Sequence, residues 1–196
     1  VRDRDAVARF AAEVGSATDR VHGLVNNAGG TFRAALMDST AKGDDALVAE
    51  NFTSVVSATR AFVPLMRGNS AAVVNVTSSE AFQAAPGFGV YAAMKAAQES
   101  LTKTLALELA DDGIRVNSVS PDGIPTAGDE ALAEATRAAS PYLPPPVPPL
   151  GFATPDACAS VILFLLGDLA RFVTGSAIHV DGGLHAAGGW HRRPET

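Results

Sequence analysis

Tyr91 and Lys95 stand four residues apart in the run Tyr91-Ala-Ala-Met-Lys95, and Ser78 lies thirteen residues upstream. On a helix that spacing puts the phenol and the ammonium on one face. A free tyrosine titrates at about 10, and a neighbouring ammonium favours its phenolate. The phenol could then give or take a proton at an alcohol or ketone oxygen, with Ser78 holding that oxygen close by. Asn51 is the next residue of interest. It interrupts an apolar helical stripe of Leu47, Val55, Ala58, Phe62 and Met66, so its amide faces the core and must find partners there. It either bonds to neighbouring backbone or holds a water or an active-site group.

The elements that must position these residues alternate between helix-like and strand-like patterns. Residues 3–13 have helical spacing, 21–27 form a short buried-strand pattern, and 44–66 a long helix with Pro64 in its last turn. A second strand covers 71–78, a helix covers 91–110, and a third strand covers 114–120. Ser140–Gly151 is proline-rich and excludes regular helix or central strand. Thr154-Pro155-Asp156 then starts a helix, with threonine as N-cap and proline at the first helical position. A fourth strand, 177–181, closes on Gly182-Gly183. Continuous Val/Ile strands separated by helices predict a parallel sheet covered on both faces. In such a sheet ligands bind beyond the carboxyl ends of the strands, where this chain carries Asn26-Asn27, Ser78-Ser79 and Ser120-Pro121.

Composition narrows the function classes. The chain has 196 residues, 47% apolar and 18% charged, enough for one domain with a proper core. A formal net charge of −6 argues against nucleic acid or an anionic membrane as partner. One cysteine, Cys158, offers no disulfide framework and is expected as a buried structural thiol. No apolar run is long enough to span a bilayer, and a cytoplasmic protein is expected. His179, His185 and His191 have no carboxylate or cysteine cluster beside them, so no metal site is expected.

The set Asn26-Asn27-Ala28-Gly29, Asn51, Ser78, Tyr91, Lys95, Val116–Pro121 and Val180–Gly183, in that order, resembles the classical short-chain dehydrogenase/reductase family from residue 1 to 183. The resemblance implies an α/β Rossmann-like, doubly wound parallel sheet with about four strands. It also implies hydride transfer between NAD or NADP and an alcohol or ketone, with Tyr91 as acid/base and Ser78 orienting the substrate oxygen. Lys95 would hold the nicotinamide ribose and favour the phenolate, and Asn51 would anchor a water linking Lys95 to solvent. Asn27, Ala28 and Gly29 would line the adenosine side, and Pro121, Ile124 and Thr126 would lie on the nicotinamide side, Ile124 and Thr126 at its carboxamide.

Two departures from the family pattern stand out. Asp122 occupies a position where the family usually has glycine, and brings a charge and less backbone freedom. The family's glycine-rich turn and the residue that tells NAD from NADP have no counterpart, so the chain is expected to be N-terminally truncated, to leave an apolar strand edge open and to bind cofactor weakly. Residues 126–153 are expected to form a proline-rich substrate loop or lid, and 184–196 a C-terminal tail. Apolar loops with Phe82, Phe88, Leu143 and Leu150 favour a small hydrophobic alcohol or ketone. Val56, Val63 and Leu107 extend the apolar faces of two helices that the family pairs between subunits, which implies a homodimer or homotetramer. The competing readings are a catalytically silent binding or assembly subunit and a Tyr/Lys dehydratase or epimerase.

Overall fold

A computed structural model describes residues 1–125, 142 and 147–190. Four parallel strands form one sheet in sequential order: β1 (Gly23–Asn26), β2 (Ala72–Val76), β3 (Arg115–Pro121) and β4 (Ala177–Val180). The registers pair Val25 with Val74, Val74 with Asn117, and Val119 with Ile178. Parallel strands need a crossover between neighbours, and helices supply each one. Helix α1 (Arg4–Ala17) precedes β1, with Asp3 as its N-cap accepting from Ala6 N at 3.0 Å. α2 (Ala41–Val48) and α3 (Ser54–Phe62) lead from β1 to β2, α4 (Gly89–Glu108) from β2 to β3, and α5 (Pro155–Leu166) from β3 to β4. A short helix, α6 (Leu184–Ala187), follows β4.

The sheet separates two apolar clusters, as a doubly wound fold requires. Val73 and Val116 join Ala11, Phe62, Met66 and Ile114 on the side of α1, α3 and α4. Val74 and Val119 pack instead with Leu165 and Ala170 on the side of α5. Alternate residues of one strand thus feed opposite layers. Every residue of β2 is buried, which is why its sequence is apolar on both faces except at Asn75, whose amide accepts from Asn26 Nδ2 and donates to Thr102 Oγ1. Cys158 is half-buried against the α5-side cluster, and burial pushes its thiol up.

The structure corrects three sequence expectations. The helix expected over 44–66 begins earlier, at Ala41, because Thr40 Oγ1 accepts from Gly43 N at 3.1 Å and caps it. It is also not one regular helix. A π turn over Ala49–Thr53 separates α2 from α3, and a tight turn at Val63–Leu65 follows Phe62, where Pro64 cannot donate. Finally, Val63 is no surface residue: it is buried in the core with Phe62 and Met66. Leu107 does face outward, at 80% exposure.

Of the proline-rich excursion, residues 147–153 are described. Pro148 is buried against Gly123 and Gly182, while Leu150 N donates to Gly182 O at 3.0 Å and Ala153 N to Gly123 O at 3.0 Å. Gly123 has φ +62°, and a Cβ there would lie 2.5 Å from Pro148 Cγ. The segment is therefore fastened over the carboxyl ends of β3 and β4. Residues 126–141 and 143–146, including Thr126 and Leu143, lie outside the described residues. So does His191.

Candidate active site

The carboxyl ends of β1, β2 and β3 collect the residues that the sequence singled out. Ser78 follows β2 by two residues and is the N-cap of a tight turn, Ser79–Ala81. It is buried; its Oγ accepts from Glu80 N at 3.3 Å and donates to the Glu80 carboxylate. Tyr91 sits in the first turn of α4, half-buried, and Lys95 one turn further on, only 4% exposed. Lys95 Nζ donates to Val76 O, the last carbonyl of β2, at 2.9 Å, and lies 5.5 Å from the Tyr91 ring centroid. That places a cation against a π face. Among the described residues no carboxylate comes within ion-pair distance of Lys95. Burial is the main influence on the ammonium and lowers its pKa to about 8, with the charges of Glu80 and Glu99 acting in the opposite sense.

Asn51 is fully buried inside the π turn. Its Nδ2 donates to Gly30 O at 2.8 Å and to Leu47 O at 3.0 Å, and its Oδ1 accepts from Gly30 N at 3.3 Å. The amide therefore grips the loop after β1 from both sides, the backbone-bonded arrangement that the sequence left open. The Asn51 main-chain carbonyl accepts from Gln98 Nε2 on α4. A π turn offsets the helical bonding pattern, and here a side chain from another helix serves one of its carbonyls. Gly29 lies between the two halves of the site: a Cβ there would come within 2.8 Å of Asn51 Oδ1 and 3.3 Å of Lys95 Nζ. Asn27, Ala28 and Gly29 are exposed at the end of β1, Pro121 closes β3, and Ile124 is half-buried after Gly123.

Asp122 proves compatible with its place. Its backbone has no positive φ; that conformation falls on Gly123 instead. The carboxylate accepts from Ser79 Oγ and from Gly123 N, the latter at 2.7 Å. Three other residues were not singled out by the sequence. Glu80 carries the carboxylate bonded to Ser78, and Gln98 holds the Asn51 carbonyl. Glu99, buried one turn beyond Lys95, accepts from Thr77, Ser118 and Ser120 at 2.5, 2.6 and 3.1 Å. The one available signal was spacing: Tyr91, Lys95 and Glu99 recur every four residues on one helix face.

The arrangement can move a proton between Tyr91 and an oxygen presented at the rim, beside a fixed positive charge and a serine hydroxyl. Comparison with known proteins places the chain in a family. A family described as "Enoyl-(Acyl carrier protein) reductase", a branch of the short-chain dehydrogenases, matches residues 1–185. A 3-oxoacyl-(acyl-carrier-protein) reductase FabG from Thermotoga maritima is 39% identical over 186 residues, covering 94% of this chain and 74% of that protein. A cyclopentanol dehydrogenase from a Comamonas strain is 37% identical over 171 residues, covering 86% of this chain and 68% of that protein. The crystal structure of a dehydrogenase/reductase from Sinorhizobium meliloti superimposes with a TM-score of 0.80 at 31% identity, over 93% of this chain and 71% of that one. NAD or NADP is the family's cofactor. By sequence and by fold, the chain belongs to the short-chain dehydrogenase/reductase family.

Proposed function

We propose that this protein transfers a hydride reversibly between NAD or NADP and the carbon of a small hydrophobic alcohol or ketone, with Tyr91 as the acid/base. The observation that carries the reading is the buried Lys95 ammonium, anchored on Val76 O and lying 5.5 Å from the Tyr91 ring centroid. A cation fixed there favours the phenolate and lets Tyr91 accept the alcohol proton, or return it to the forming alkoxide, near neutral pH. Ser78 orients the substrate oxygen, and Asn51 fixes the loop after β1 against Lys95.

The residues fit a nicotinamide riboside. Lys95 has three N–H donors and one hydrogen bond to the protein among the described residues, which leaves donors for ribose hydroxyls. Gly29 has no side chain to fill the approach to that ammonium. The cofactor supplies or accepts the hydride when bound. Asn27, Ala28, Gly29, Pro121, Ile124 and Thr126 line its path in this reading. Hydrophobic substrates suit Phe82, exposed beside the Ser79–Ala81 turn, and match the printed names of relatives acting on cyclopentanol or 3-oxoacyl groups. A homodimer or homotetramer is the expected assembly.

The test is Tyr91→Phe, assayed with NAD(H) and NADP(H) on cyclopentanol and cyclopentanone. It should cut turnover at least about a hundredfold, as expected for loss of a general acid/base, while cofactor binding by calorimetry stays within a few-fold. Turnover preserved in Tyr91→Phe would refute the assignment.

A further inference from the structure

Three rings meet beside Ser78 and take no part in the chemistry above. The imidazoles of His179 and His185 stack with centroids 3.8 Å apart and planes within 5° of parallel. Phe82 packs edge-on against both, at 4.7 Å and 63° from His179 and at 5.6 Å and 67° from His185, an arrangement that ring quadrupoles favour. The three rings come from three parts of the fold. His179 is on β4, His185 is on α6, and Phe82 ends the tight turn that Ser78 caps, its N–H donating to Ser79 O at 3.0 Å. That turn is therefore held twice beyond β2: Ser79 Oγ bonds to Asp122 after β3, and Phe82 reaches β4 and α6.

The two histidines serve here as rings and not as polar groups. Among the described residues His179 Nδ1 is buried with no hydrogen-bond partner. Ser120, its register partner on β3, donates to Glu99 Oε1 instead, at 3.1 Å. Burial lowers the His179 pKa and so does His185, against the opposing charges of Asp181 and Glu99, so the neutral imidazole is favoured. The second ring is placed by main chain. The Asp181 carboxylate, 5% exposed, accepts from Gly183 N at 2.9 Å and His185 N at 2.7 Å, which turns the chain back over β4 through a left-handed Gly183. Phe82 nevertheless remains 38% exposed, so the imidazoles leave part of its ring free.

Resting on the reading of Ser78 as the residue that holds the substrate oxygen, we propose that Phe82 is the specificity-determining wall of the substrate cleft and that His179 and His185 are positioning residues that hold it in place. The free part of the Phe82 ring meets the apolar body of the substrate next to the reacting carbon. Because the ring is clamped on its other side, it does not swing away to make room. The cleft therefore favours compact alcohols and ketones over bulkier ones. Neither imidazole touches the substrate or exchanges a proton with it.

Two measurements on the full chain test the proposal. The first is the ratio of kcat/KM for cyclooctanol to that for cyclopentanol. Phe82→Ala should raise it about tenfold, the low end of what one methylene's worth of pocket space decides. His179→Ala and His185→Ala should each raise it about threefold, the worth of one edge-to-face contact. His179→Phe keeps the ring and removes the unpaired nitrogen, so it should restore the parent's ratio. Equal loss on both alcohols, as a purely structural role would give, or failure of His179→Phe to rescue the ratio, overturns the proposal. The second measurement requires no turnover: NMR of the chain labelled with ring-carbon-13 phenylalanine, with Phe82 assigned by the resonance that Phe82→Leu removes. His185 is exposed, so His185→Ala disturbs the fold least. It should move the Phe82 resonance toward that of free phenylalanine, and cyclopentanone should shift the same resonance in the parent. A Phe82 resonance indifferent to either change overturns the proposal. Both responses without turnover on either alcohol uphold the wall and overturn instead the oxidoreductase reading beneath it.

Discussion

Lys95 is held at a cost to the fold. Its pKa of about 8 lies below the ordinary 10.5, and burial is the cause. The unfolded chain therefore keeps a proton that the folded chain has lost between pH 8 and 10.5, so stability rises with pH through that window. Below pH 8 the full penalty applies, about 3 kcal/mol by linkage. Lys95→Met should accordingly abolish turnover yet stabilise the fold by about 2–3 kcal/mol at pH 7. The difference between the two proteins in urea unfolding should shrink toward zero by pH 10.5. A variant less stable than the parent at pH 7 would mean that the Val76 carbonyl contact outweighs the desolvation. Tyr91, Lys95 and Ser78 could be singled out from sequence because residue type and local spacing suffice for them. Glu80 could not, since it meets Ser78 only after Ser79–Ala81 folds into a tight turn.

At the scale of elements, the π turn over Ala49–Thr53 shows where local pattern ends. The sequence Ala-Glu-Asn-Phe-Thr continues the helical spacing of its flanks and carries neither glycine nor proline, so nothing in it announces a change of helix type. The partner that accompanies the change comes from α4: Gln98, 1% exposed, donates to the Asn51 carbonyl. The strands were legible for the opposite reason: the valine-rich run Ala72–Val76 is buried throughout, and its one polar residue, Asn75, finds side-chain partners in Asn26 and Thr102. Thr154-Pro155 likewise marked the start of α5 from local chemistry. Gln98→Leu keeps the volume, removes the donor to the Asn51 carbonyl and also removes the unpartnered Gln98 Oε1, for a net loss of about 1 kcal/mol. Urea unfolding should show that loss, and hydrogen exchange should quicken in residues 49–53 ahead of α1 and β3. Uniform quickening across the chain would mean that Gln98 supports general packing and not the turn.

For the molecule as a whole, the open question is how its apolar edges are covered. Strand β1 pairs with β2 along one side, and among the described residues no strand lies along its other side. Its sequence, Gly-Leu-Val-Asn, has no lysine, proline or bulge to discourage pairing, and Val25 is 38% exposed. A second apolar surface lies on the side of α5, where Leu163 is 69% exposed and, just beyond the helix, Leu169 is 83% and Phe172 fully exposed. The two surfaces differ in what they offer a partner. The α5 side offers hydrophobic area alone, whereas β1 adds a row of main-chain donors and acceptors that another strand can satisfy. Edge pairing should therefore dominate self-association of the 196-residue polypeptide. Sedimentation velocity over a concentration series should show association that Val25→Lys suppresses and Phe172→Asp leaves largely in place. If Phe172→Asp instead yields the monomer and Val25→Lys does not, the α5 surface is the contact, and the β1 edge is guarded by its short length of four residues.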